Sequence, residues 1–287
     1  MTAEPILALA WLVLAHLTAD FVLQTNRIAA DKFATGTRAL RGLATHVGIV
    51  GLCLVPVVIA WGGPGLAFAL VVTGAHAVID RAKIVLTRRL EAGALATARR
   101  GGERAATMDG LGPAWTPLPA ALFVLDQLAH LAVIGLAWAV WLAGSSLNAG
   151  WTSAAATLVG GWDQALVHHV VLVLVVGADL AIVNVRAGSL LVATLVSPRP
   201  FDGEEGDEGG RPIPRIGATI GVLERLLIVV LVLTGAEVAI GLVIAAKTLA
   251  RFRQLDDRAF AEYYLLGTLA SVSVALASGL LGLAALR

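Results

Sequence analysis

Apolar residues run along this chain in long, nearly unbroken stretches, not in the short periodic stripes of a water-soluble fold. They cover roughly 5–24, 43–61, 65–86, 119–143, 165–184, 216–234, 237–250 and 262–285, most of them near the ~20 residues a helix needs to cross a bilayer's hydrocarbon layer. The pattern predicts an all-α, polytopic transmembrane helix bundle of about eight spans, forming a single transmembrane domain over 1–287. Residues 216–246 would also suit one long tilted helix. Thr234-Gly235-Ala236-Glu237 reads as a turn with an acidic residue able to cap the next helix, so the run is divided there. Residues 186–197 are too short to cross and are expected as a re-entrant or interfacial segment. Segments 87–117 and 197–215 are expected as cytoplasmic loops, the first beginning as a basic helical extension and the second rich in Gly, Pro and acidic residues.

Composition agrees with the pattern. Of the 287 residues, 58% are hydrophobic and 14% charged, against about 25% charged in soluble domains, which sets aside an ordinary soluble enzyme. The net charge of +1 gives no basic field for nucleic acid. Where the charges fall is more informative. With the amino end outside, 19 of the 21 Lys and Arg residues fall in segments on one side, and that bias places them in the cytoplasm. The expectation is a prokaryotic cytoplasmic (inner) membrane protein with both termini outside, surrounded by membrane lipid. The first apolar run lacks a basic leader and carries His16 and Asp20, so it reads as a retained span and not a cleaved signal.

The polar residues inside the spans suggest chemistry. An Asp at the bilayer centre costs about 2.5–3.5 kcal/mol on insertion scales, so each needs a partner or a use. Span one carries His16 and Asp20, span three His76 and Asp80, and span four Asp126 and His130. In each, the two lie four residues apart and so share one helix face. Spans one and three run inward and read His then Asp, whereas span four runs outward and reads Asp then His. All three therefore put the carboxylate nearer the cytoplasm and the imidazole about one turn deeper. His46 joins the Asp layer from span two, and Asp179 and Glu224 fall at similar depth.

Imidazole and carboxylate at this spacing can chelate one ion without bending the helix, and bundles build metal sites from facing helices. His16, Asp20, His46, His76, Asp80, Asp126 and His130 are the candidate ligands for one divalent metal or a pair, zinc among the choices. The bland alternative is a His–Asp hydrogen-bond network that only orients helices. Glu224 is a candidate general base, and Arg225 and Lys83 are candidate clamps for an anionic group. Inter-helix ion pairing and interfacial snorkelling are their plain alternatives. Glu224 and Arg225 are adjacent, so they point about 100° apart on a helix and cannot both face one site squarely.

Three functions fit. The first is a metal-dependent membrane hydrolase acting from the cytoplasmic leaflet on a lipid-linked or membrane-accessible anionic substrate. The second is a cation- or proton-coupled transporter, disfavoured by the scarcity of polar residues in the outer leaflet. The third is a membrane scaffold whose basic 81–117 segment docks a partner.

Several motifs also carry a resemblance: His16-Leu-Thr-Ala-Asp20-Phe-Val-Leu-Gln24, Asp126-Gln127-Leu-Ala-His130, Ile220-Gly221-Val-Leu-Glu224-Arg225, Lys247-Thr-Leu-Ala-Arg251-Phe and Phe260-Ala-Glu262-Tyr263-Tyr264. They resemble a prokaryotic integral-membrane family, domain of unknown function 3307, over the amino-terminal half and the carboxyl-terminal third. Segments 144–163 and 197–215 look idiosyncratic. The resemblance implies a membrane protein and brings no activity with it. The His/Asp layout is similar, more loosely, to membrane-bound metal-dependent hydrolases.

Overall fold

A computed structural model describes residues 4–100, 117–196 and 214–287, with the side chains of all but 91–100, 214–216 and 259. The described residues form twelve α-helices and no β-strand. Helix α1 (Pro5–Leu17) starts where Pro5 needs no backbone partner and Glu4 accepts the amide of Leu7 at 2.8 Å. A π-helical stretch, Thr18–Leu23, extends it. Next come the short α2 (Asn26–Lys32), capped by Thr25, and then α3 (Gly36–Cys53) and α4 (Val55–Trp61). These last two make one apolar run, interrupted where Pro56 removes a backbone donor.

The chain continues through α5 (Gly63–Arg100), α6 (Leu118–Ala137) and a π-helical Trp138–Leu142, followed by α7 (Ala149–Val159) and α8 (Gln164–Ile182). A third π-helical stretch, Val183–Ala187, leads into α9 (Gly188–Val196). Helices α10 (Pro214–Leu233), α11 (Val238–Ala250) and α12 (Arg258–Leu286) complete the order, the last capped by Asp257.

Six helical runs are long and apolar enough to cross a membrane: Pro5–Leu23, Gly36–Trp61, Gly63–Leu90, Leu118–Leu142, Gln164–Val196 and Phe260–Leu286. They match six of the eight expected spans to within a few residues, except that the second starts seven residues earlier, at Gly36, and the fifth is longer. The expected count of eight is not reached among the described residues. The remaining two stretches are α10 and α11, divided at Thr234–Glu237 as expected, with Gly235 at φ 72°, where a side chain would be strained. At 13 residues, α11 is only about 20 Å long, short of the hydrocarbon thickness.

A second expectation is corrected. Residues 186–196, the described part of the expected re-entrant segment, are not separate, because Val183–Ala187 and α9 prolong α8 into one 33-residue apolar run. Asn184 and Arg186 look like the end of a span, yet Asn184 is fully buried inside the protein. Of the two expected loops, 87–100 belongs to α5, whereas 101–116 and 197–213 lie outside the described residues.

The chain divides into two compact units. One is built on residues up to Leu86 and on Leu125–Ile182, the other on Thr87–Val124 and Val183–Ala285. The first unit packs an apolar cluster around Leu12, Val50, Val57, Phe68, Val72 and Ile134. Its polarity is inverted relative to a soluble protein. On α5, Val78 is 69% exposed while His76, two residues away, is 1% exposed. Leu70, Leu128 and Leu136 likewise face outward. Apolar side chains out and charged ones in is the arrangement a lipid solvent favours.

Candidate functional site

Four helices of the first unit bring the expected polar residues together. Asp20 sits on the π-helical end of α1, His46 on α3, His76 and Asp80 on α5, and Asp126 and His130 on α6. A π-turn inserts an extra residue and re-aims side chains, and such turns are frequent at functional sites. Asp20 is placed by one, so its direction does not follow from 3.6-residue periodicity.

At the centre, His46 Nε2 and His76 Nε2 lie 2.9 Å apart. Asp20 Oδ1 is 3.2 Å from the first and 3.4 Å from the second, and Asp80 Oδ2 is 3.6 and 3.7 Å from them. His46, His76 and Asp80 are all buried. Around this core His16 Nε2 donates to Gln127 Oε1 at 3.3 Å and lies 3.8 Å from Asp20. Gln127 Nε2 donates to Asp126 Oδ2 at 3.1 Å and to Asp20 Oδ2 at 3.4 Å. The His76 and His130 rings stand 4.2 Å apart, and those of His16 and His130 5.0 Å.

All seven residues singled out as ligands thus converge. Three sets could each hold a metal ion, with one ligand atom per residue within 4.8 Å of the others: His16, Asp20 and His76; His46, His76 and Asp80; and Asp80, Asp126 and His130. Several buried polar atoms in the layer have no hydrogen-bond partner, namely Asp20 Oδ1, Asp126 Oδ1, His46 Nδ1, His76 Nδ1 and His130 Nε2. Buried polar atoms are ordinarily satisfied, so the two carboxylate oxygens among them mark a site short of a donor or a cation.

Two lysines flank the layer. Lys83, expected as an anion clamp, bonds Asp126 Oδ2 at 2.8 Å, and its side chain is 28% exposed. Lys32 was not foreseen as a member: it reads as one more basic loop residue. It is buried, and its Nζ bonds Asp80 Oδ2 at 2.6 Å and Gln24 Oε1 at 2.7 Å. Helix α2 brings it there by lying directly on α3 at Gly42, where a Cβ would come within 2.6 Å of the Lys32 backbone nitrogen. Gln24 and Gln127, adjoining the conspicuous His and Asp residues, were the signal in sequence that the network extends past them.

Glu224 and Arg225 belong to the second unit and diverge, as adjacent helical residues must. Glu224 accepts Lys247 Nζ at 2.6 Å, and Lys247 stands 5.5 Å over the Tyr264 ring. Arg225 is buried and spends three donors within its own unit, on the Asn184 carbonyl at 2.7 Å, Ser271 Oγ at 3.1 Å and Ser189 Oγ at 2.6 Å. Asp179, on α8 in the first unit, has a buried Oδ1 without a hydrogen-bond partner and is in none of the three metal-capable sets.

No curated protein and no solved structure matches this chain. A family model described as protein of unknown function (DUF3307) matches residues 8–159, just over half of the length. The matched region contains the whole His/Asp layer with Lys32, Lys83 and Gln127, and it reaches into 144–163, which the sequence alone marked as idiosyncratic. The motifs at 220–225, 247–252 and 260–264 fall outside it. On that match, the chain belongs to the DUF3307 family.

Proposed function

We propose that this chain is a metal-dependent membrane hydrolase whose ion is held by Asp20, His46, His76 and Asp80. One observation carries the reading. Five of the six distances among His46 Nε2, His76 Nε2, Asp20 Oδ1 and Asp80 Oδ2 run from 2.9 to 3.7 Å. A tetrahedron of ligands about 2.0–2.1 Å from a central ion has edges of about 3.3–3.4 Å. Two imidazoles and two carboxylates are also a donor set suited to zinc or a similar divalent ion.

Charge supports the same reading. Asp20, Asp80 and Asp126 are countered in the layer by Lys32 and Lys83, leaving one net negative charge where water is scarce and charge is costly. A divalent cation there would be drawn by that negative charge and would supply a water acidified to a pKa of about 7. Hydrolysis adds the elements of that water across an ester or phosphoester bond, hydroxyl to the acyl carbon or phosphorus and proton to the leaving oxygen. The chain's own residues orient the reaction: Lys32 fixes Asp80, Gln127 links Asp20 to Asp126, and Lys83, the more exposed of the two lysines, is placed to meet an anionic group. The crowding of basic residues beside the Asp layer supports approach from the cytoplasmic leaflet of an inner membrane, on a lipid-linked or membrane-accessible anionic substrate.

The test is elemental analysis of protein purified in mild detergent, followed by hydrolysis of p-nitrophenyl ester and phosphate probes in mixed micelles. The expected result is at least one divalent metal per chain, with probe cleavage that chelation removes and metal restores. No bound metal, with a melting temperature indifferent to chelation, would overturn it. Metal flux into proteoliposomes without probe cleavage would replace hydrolysis with transport.

A further inference from the structure

The tetrahedral set leaves part of the layer unused. Asp126 and His130 lie one turn apart on α6, both buried, and neither supplies any of its four atoms. His130 Nδ1 approaches the Asp126 backbone carbonyl at 2.8 Å. A carbonyl oxygen only accepts, so Nδ1 carries the proton, and the lone pair of the neutral ring resides on Nε2. That Nε2 is buried with no partner. Metal-bound histidines are commonly prepared in this way, the far nitrogen donating to a carbonyl so that tautomer and ring direction are fixed. Asp126 is prepared similarly: Lys83 and Gln127 occupy Oδ2 at 2.8 and 3.1 Å, and Oδ1 is buried without a partner. Two acceptors with no donor, each steadied from behind, are suited to a cation and to little else.

Building on the proposed metal site, we infer that Asp126, His130 and Asp80 hold a second divalent cation, and that Asp80 is shared between the two positions. Asp80 belongs to both metal-capable sets, one with His46 and His76 and the other with Asp126 and His130. A shared carboxylate is the usual bridge in two-ion centres, whose ions stand about 3.5–4 Å apart. The two positions differ chemically. Two imidazoles and two carboxylates suit a zinc-like ion, whereas two carboxylates and one imidazole offer the more oxygen-rich set that suits manganese or magnesium. The second position is therefore expected to be the weaker and the first to empty during purification.

The experiment loads the full-length, detergent-solubilised protein with Mn2+, removes the excess by gel filtration, and measures the metal-to-protein ratio together with the Mn2+ electron paramagnetic resonance spectrum. Two ions per chain with a spin-coupled spectrum are expected. Asp126→Asn should then give one ion and an uncoupled spectrum, and His130→Gln should do the same if Asp126→Asn is too poorly folded to measure. A single ion in the wild type, two uncoupled ions, or a ratio unchanged in both variants would overturn the second position and leave the first standing. A ratio of zero would remove both, so the two readings fail distinguishably.

Discussion

Asp20 and Asn184 occupy comparable places. Each lies on a π-helical stretch that prolongs an apolar helix, and each sits in a polar cluster within its own unit. Their surroundings differ in kind. Around Asn184 the donors are spent and one buried oxygen, Asn184 Oδ1, goes without a hydrogen bond: Arg225 binds the Asn184 carbonyl and two serines, Ser189 Oγ donates onward to the Val185 carbonyl, and Asn184 Nδ2 donates to Ser278 Oγ. Around Asp20 five buried nitrogen or oxygen atoms of the layer go without a hydrogen bond, two carboxylate oxygens among them. A network whose strong donor is spent on its own neighbours holds helices together. One that leaves buried carboxylate oxygens unpaired implies something added. Buried polarity in a span is thus not by itself a sign of function; its degree of saturation separates the two cases.

The largest effect should come from breaking the cluster around Asn184 and Arg225. Arg225→Ala would strip donors from a backbone carbonyl and two hydroxyls that are shut away from water, at about 1–3 kcal/mol for each group left unsatisfied. A loss of about 4 kcal/mol, seen as a melting temperature lowered by roughly 10 °C or more in detergent, is expected, with metal content per folded chain unchanged. A variant that melts like the wild type but has lost its metal would show that the clusters had been assigned the wrong way round.

Asp20→Asn should behave in the opposite sense. It removes a charge from the layer and leaves an isosteric side chain with a donor, so the metal-free protein should melt within a few degrees of the wild type. Metal affinity should fall by about 100-fold or more, equivalent to roughly 2.7 kcal/mol. Titration with Co2+, whose d–d absorption reports tetrahedral coordination, would measure this directly. An intact tetrahedral spectrum in the variant would exclude Asp20 as a ligand.

Substitution at Gly42 tests whether Lys32 belongs to the layer through its position. A Cβ there would meet the Lys32 backbone nitrogen at 2.6 Å and the Asp31 carbonyl carbon at 2.7 Å, so Gly42→Ala should push α2 off α3 at a cost of about 1–3 kcal/mol. With Lys32 withdrawn from Asp80, metal affinity should also shift severalfold, and Lys32→Met should reproduce that shift without the full stability loss. If Gly42→Ala lowered stability while both variants kept wild-type affinity, Lys32 would be only a counter-ion from outside.

These contrasts also explain what could be read from the sequence. The His–Asp pairs on α5 and α6 were legible because an i,i+4 spacing survives any arrangement of straight helices, and the direction of successive spans was enough to bring the three carboxylates to one depth and the three imidazoles about one turn deeper. His46 joined them on depth alone. Lys32 was not legible, since a lysine in a short polar helix between spans resembles any interfacial lysine until the α2–α3 contact through Gly42 is known. The continuation through Val183–Ala187 was hidden for a different reason. Asn184 and Arg186 carry the polarity of a helix end, and nothing in a hydropathy profile records that an asparagine is enclosed by other helices. Depth misled at Glu224, which was grouped with the layer by its place along the span although its ion-pair partner is Lys247 on α11.

That pair supplies the smallest and most discriminating contrast. Glu224 and Lys247 side chains are 17% and 19% exposed and 2.6 Å apart, a partly screened ion pair that contributes at most about 1 kcal/mol. Glu224→Gln should therefore lower the melting temperature by only a few degrees, and Lys247→Met should do about the same, with the double variant little worse than either because both remove one interaction. A general base behaves otherwise: its loss costs about 100- to 10,000-fold in rate and is indifferent to Lys247. Additive stability losses in the double variant would show that the two residues do not act as a pair. A hundredfold fall in metal-dependent probe cleavage in Glu224→Gln alone, at wild-type stability and metal content, would make the second unit part of the chemistry after all.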